Sequence, residues 1–210
     1  EKGFIARLDA LGSSGLSDED KLNRDLLRLD LARDIEGSAF GGKYMAVTNR
    51  GGPHTFLTGL PDDLPFFTRA DYESYVARLN AAPDYVAGTI ERLRGGIKNG
   101  WTQPCAPMEG YEKSIAFHVI DDPKKSALYR PFEKRPASVS AGDWKRLSAA
   151  GAKAIKEKAI PAVAGFASFY EAEYKPACRK EIGASSLPDG AAYYAFRARL
   201  YLTRLRAGCR

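Results

Sequence analysis

The chain has 210 residues, 44% hydrophobic and 28% charged, which is the balance of a folded globular protein long enough to bury a core without a disulfide framework. No apolar run approaches the roughly 20 residues of a membrane-spanning helix. The net charge of +6 is concentrated in residues 191–210, which hold five arginines and no acid, and the remainder carries +1. A groove-reading surface would need positive charge spread along an element with aromatic or amide readers between, whereas here the basicity belongs to the tail, so no nucleic-acid partner is expected.

In chain order, the first periodic segment runs from Ser17 to Gly37. Asp18, Glu19 and Asp20 suit a helix N-terminus, Gly37 suits its end, and Leu22, Leu26 and Leu29 at i, i+4, i+7 predict one buried stripe. Residues 37–67 lose that period to a series of glycines and prolines and read as a long irregular loop. Thr68 and Asp71 form a capping-box pattern, opening a helix through Tyr72, Tyr75, Val76 and Leu79. Pro83 starts the next helix, along which Val86, Ile90, Leu93 and Ile97 share a face as far as Gly100. These two helices are expected to pair antiparallel.

A further helix is predicted over 109–120, followed by loop over 124–139. Ser140 and Asp143 repeat the capping pattern at the start of a long helix, 141–181, kinked at Pro161. Leu187-Pro188-Asp189-Gly190 reads as a type I turn. After it Tyr194, Phe196, Ala198, Leu200 and Leu202 alternate with Tyr193, Arg197, Arg199, Tyr201 and Thr203, and period two predicts a β-strand over 192–203. The expected fold is therefore mainly α: a helical bundle of antiparallel helices in a single helical domain over 1–210, with one C-terminal strand and an anomalous Arg-rich tail within 191–210.

Motifs for chemistry are sparse. Gly37 to Tyr44 is one residue from a phosphate loop, but Tyr44 stands where Ser or Thr would hold magnesium, and the motif follows a helix rather than a strand. His54 and His118 belong to no zinc-ligand spacing; His54 reads as a loop-anchoring hydrogen-bond partner, with a site residue as the alternative, and His118 as a packed or surface residue. The Ser185 segment lacks the closing glycine of a nucleophile elbow, and Glu171 and Glu173 point to different helix faces. Cys105, Cys178 and Cys209 are far apart and say little about redox compartment. No catalytic and no metal-ligating residue is assigned.

Two blocks carry a resemblance. One is Glu173-Tyr174-Lys175-Pro176-Ala177-Cys178-Arg179 followed by Gly183 and Leu187-Pro188-Asp189-Gly190-Ala-Ala-Tyr193-Tyr194. The other comprises Pro65-Phe66, Asp71 to Leu79, Pro83 and Ile90 to Gly100. Together they resemble the bacterial domain-of-unknown-function family numbered 885 over about residues 20–200. Members of that family resemble zinc metallopeptidases of the H-E-x-x-H class, with the metal helix in the second half of the chain. The resemblance implies that this sequence is an N-terminal fragment with an Arg-rich, frameshifted or otherwise truncated end, and that zinc belongs only to the missing half, leaving no cofactor here. It also implies a scaffold and one wall of a peptide cleft, with Tyr193, Tyr194, Asp189 and Arg197 as substrate-binding residues. The alternative is a helical binding or assembly module that forms a homodimer or holds a peptide through its C-terminal edge strand. A first residue other than Met favours a periplasmic or secreted location over a cytoplasmic one.

Overall fold

Both expected side-chain caps, and a third at Ser17, close helix ends in the computed structural model, which describes residues 1–202. The Ser17 hydroxyl accepts from the Asp20 amide at 3.1 Å and Ser140 accepts from Asp143 at 3.1 Å. Thr68 accepts from the Asp71 amide while the Asp71 carboxylate accepts from the Thr68 amide at 2.7 Å, a complete capping box. Each cap satisfies an amide that the helix cannot satisfy internally. In order the helices are α1 (Lys2–Leu11), α2 (Asp18–Ser38), α3 (Pro53–Asp63), α4 (Arg69–Asn80), α5 (Ala82–Asn99), α6 (Tyr111–Ala116), α7 (Ala141–Ala154), α8 (Ile160–Phe169) and α9 (Gly190–Tyr201). Among the described residues β-structure is limited to two isolated bridges, Thr48 with Gly51 and Pro104 with Arg179.

The chain divides into two compact units. Unit 1 comprises residues 1–43, 99–101 and those from 183 onward; unit 2 comprises 44–98 and 102–182. Unit 2 holds a continuous core in which Tyr75, Leu79, Leu93, Ile115, Ile155, Phe166 and Tyr174 are all fully buried. Within it α4 packs on α7, and α3 and α6 pack on α8. In unit 1, α1 packs on α2, and a smaller cluster gathers the buried Trp101 and Phe196 with Phe40 and Tyr193.

Several expectations change. The predicted strand over 192–203 is helical in its described part: α9 runs Gly190–Tyr201, and only Thr203 lies outside the described residues, with the tail arginines beyond it. The same letters satisfy both periods, because Tyr193, Phe196 and Leu200 fall at i, i+3, i+7 and make one helical face. Alanines at 191, 192, 195 and 198 add helix propensity. The turn before it closes through a 2.9 Å bond from the Gly190 amide to the Leu187 carbonyl, but Asp189 has φ 54°, which a type I turn does not contain.

The loop expected over 37–67 contains α3, with Pro53 in its first turn, where the missing amide costs nothing. The helix expected over 109–120 is shorter, Tyr111–Ala116, and the loop over 124–139 contains two 3₁₀ segments, Pro123–Lys125 and Ala127–Phe132. The long helix beginning at Ala141 ends at Ala177 rather than 181 and is not broken at Pro161. A π-helical turn at Ile155–Ala159 precedes that proline, so its missing donor falls where the regular ladder is already rearranged. α4 packs on α7, and only Ala81 separates α4 from α5. Finally, Leu22, Leu26 and Leu29 are 58%, 50% and 44% exposed, the reverse of a buried stripe. On α2 it is Arg24 and Arg28 that reach α1, bonding the Gly12 carbonyl and the Asp9 carboxylate.

Candidate functional site

The tyrosine block places two of its four expected site residues together. Tyr193 and Arg197, one turn apart on α9, line a cleft of 310 Å³ in unit 1 with Arg33, Asp34, Gly37, Gly42, Lys43, Phe196 and Leu200. Phe196 is buried and floors it. The Tyr193 ring is fixed edge-on to Trp101 at 5.1 Å and tilted against Phe40 at 5.5 Å. The Arg197 guanidinium donates to the Tyr201 hydroxyl at 3.1 Å and lies over that ring. A second depression of 420 Å³ continues the cleft along α2 and α9, lined by Leu29, Ala32, Arg33, Glu36, Phe196, Arg199, Leu200 and Leu202; Arg199 is ion-paired to Glu36 across it.

The other two expected residues stand apart. Tyr194 is 64% exposed and does not line the cleft. Asp189 is the left-handed residue before α9, whose carbonyl accepts from the Tyr193 amide. The Leu-Pro-Asp-Gly motif has a packing role here: Leu187 is buried, and a Cβ on Gly190 would lie 2.2 Å from the Ala184 carbonyl oxygen, so the start of α9 requires a residue without one.

Sequence reasoning missed Arg33, Lys43 and the aromatic floor, although their signal was present in the glycines once compared with a phosphate loop. A Cβ on Gly41 would lie 2.2 Å from Trp101 Cδ2, and one on Gly37 would lie 2.9 Å from Phe196 Cζ. The glycine run therefore admits two aromatic rings. Chemically, the cleft combines apolar Phe196 and Leu200 with three cationic side chains, Arg33, Lys43 and Arg197, against one carboxylate, Asp34, a net positive lining that suits a carboxylate attached to an apolar body.

The histidines lie in unit 2. His54, on the first turn of α3, is 1% exposed, and its Nε2 is 3.2 Å from Ser114 Oγ. Ser114 donates to the Tyr111 carbonyl at 2.7 Å, so the imidazole is the donor of the pair and the hydroxyl is not being activated. Nδ1 is buried without a hydrogen-bond partner among the described residues. Burial, reinforced by His118 at 5.8 Å between rings, holds the His54 pKa down to about 4. His54 is thus an anchor, but of a helix rather than a loop. Among the described residues no three His, Cys, Asp or Glu side chains converge as metal ligands. The donors at His54 and His118 do not fit a zinc site.

The Glu-Tyr-x-Pro-x-x-Arg block forms a clamp in unit 2. Glu173 accepts from Arg94 twice, at 2.7 and 2.8 Å, and this pairing holds its carboxyl below the usual range. The Tyr174 hydroxyl accepts the Gln103 amide at 3.0 Å, and Arg179 donates to the carbonyls of Thr102, Glu181 and Ile182. Between these contacts Cys105 and Cys178 form a disulfide, with Cα atoms 5.1 Å apart. Nothing in the cysteine spacing announced it.

Comparison with curated proteins and with solved structures finds no match. The family described as "Bacterial protein of unknown function (DUF885)" matches residues 1–207. With nearly the whole length matched, and with both quoted blocks serving packing that the fold requires, the chain belongs to the DUF885 family.

Proposed function

We propose that this chain supplies the scaffold and one wall of a peptide-binding cleft in a metallopeptidase-like protein, and that the reactive centre lies outside the residues described above. The observation that carries this reading is the cleft where Tyr193 and Arg197 meet Arg33 and Lys43 over the buried ring of Phe196. An extended peptide laid along α9 would set an apolar side chain on Phe196 and Leu200 and a carboxylate, terminal or from an acidic side chain, beside the guanidinium groups. The wall is helical, so binding would rest on side chains. The edge-strand mode of peptide or homodimer pairing loses its element, since residues 190–201 are helical.

The Cys105–Cys178 bond supports maturation in an oxidising compartment, and with it a periplasmic or secreted location.

The cleft is tested by fluorescence anisotropy with a labelled hydrophobic peptide bearing either a free C-terminal carboxylate or an amide. The carboxylate form is expected to bind more tightly, and Arg197→Ala and Tyr193→Ala are each expected to weaken it about tenfold, the equivalent of one charge-assisted hydrogen bond. Equal binding of the two peptides, or indifference to both substitutions in proteins with unchanged circular dichroism, would rule the cleft out.

A further inference from the structure

α2 is a 21-residue helix with no buried residue. Its Leu22, Leu26 and Leu29 form a stripe that remains about half exposed along its whole length. An amphipathic helix gains its stability by burying such a stripe, and the contacts between α2 and α1 use a different face, that of Arg24 and Arg28. At its C-terminal end the stripe runs into the depression lined by Leu29, Phe196, Leu200 and Leu202, so the apolar track continues beyond the helix. Its i, i+4, i+7 spacing is that of one side of a helix–helix contact.

The charges around the stripe select the occupant. The helical neighbours of the three leucines at three and four residues include Asp18, Glu19, Asp25 and Asp30, against a single cation, Arg33. Asp18 and Asp25 pair with Lys21 and Arg24, and Asp30 lies 4.0 Å from Arg33, but the three carboxylates stay largely solvent-exposed and available to a second cation. Over the whole helix seven carboxylates face four cations. A second copy of α2 would bring like charge against like charge, which disfavours self-pairing.

We propose that the Leu22–Leu26–Leu29 face of α2 is a docking surface for a basic amphipathic helix, whose leucine-type side chains cover the stripe and whose lysines or arginines meet Asp18, Glu19, Asp25 and Asp30. The surface meets the continuation of the peptide cleft only at its Leu29 end, and neither Leu22 nor Leu26 lines either depression, so substitutions at these two leucines test the docking face apart from the cleft.

The test uses the full chain and two synthetic helices, one with leucines at alternating three- and four-residue spacing flanked by lysine, the other with glutamate in place of lysine. The lysine helix is expected to bind in an anisotropy titration, to weaken as salt rises, and to protect the amides of residues 18–33 from exchange. Leu22→Gln with Leu26→Gln should weaken it about tenfold, because both side chains are already solvent-exposed in the free protein and only the apolar contact is lost. The proposal is overturned if the glutamate helix binds equally well, if the double variant binds like the wild type, or if sedimentation shows a dimer that the double substitution dissolves.

Discussion

At the scale of single residues, His54 carries the clearest consequence of burial. Its folded-state pKa of about 4 lies below the ordinary 6.5, so the unfolded chain takes up the proton first as pH falls. His54 therefore contributes stability that is fully present above about pH 6.5 and is lost as pH falls toward 4. The groups facing it are Tyr111, Ser114 and His118, and His118 is itself shifted down by burial, so it adds to the same slope. Urea unfolding across that range is expected to show stability rising with pH, and His54→Gln, which keeps a donor for Ser114, to flatten the slope. An unchanged slope in the variant would mean that other groups set it. The histidine was visible in the sequence as a loop anchor, but burial depends on Tyr111 and Phe166, far along the chain, and could not be read from local pattern.

At the scale of elements, the clamp around Arg179 joins the segment after α5 to the end of the long helix. The Cys105 amide donates to the Arg179 carbonyl at 2.9 Å, the Arg179 amide donates to the Gln103 carbonyl at 3.1 Å, and the disulfide spans a separation of 73 residues. Closing a loop of that length in the unfolded chain removes entropy worth about 4 kcal/mol. Cys105→Ser with Cys178→Ser, or reduction of the wild type, is expected to lower unfolding stability by about that amount, with the helical signal retained at low temperature. A reduced protein as stable as the oxidised one would show that the hydrogen bonds alone hold the clamp. Elements were legible where their determinants are local: the capping residues Thr68 and Ser140, the segment start at Ser17 and the left-handed Gly100 all mark helix ends as expected. The tyrosine segment was misread because its apolar residues fit a strand of period two and a helix at i, i+3, i+7 at once. The candidate cleft was accordingly half legible: Tyr193 and Arg197 line it on the helix, while Arg33 and Lys43 arrive from a segment some 150 residues earlier.

At the scale of the whole molecule, burial is unevenly distributed. The fully buried side chains Tyr75, Leu79, Leu93, Ile155 and Phe166 all belong to unit 2, whereas α1 and α2 bury none. Local opening follows that distribution, since segments with few buried contacts open at little cost. Amide exchange is expected to be fastest in α1 and α2 and slowest in α4, α5 and α8; protection of α2 equal to that of α4 in the isolated protein would contradict the exposed leucine stripe. The chain by itself determined where most helices begin and that they dominate the fold, because a cap or a left-handed glycine is satisfied within four or five residues of its own backbone. Only the tertiary structure decided that the leucine face of α2 stays exposed, that the tyrosine segment coils rather than extends, and that Cys105 meets Cys178. Those outcomes depend on surfaces brought together from distant parts of the chain, where several apolar patterns compete and the one that finds a partner prevails.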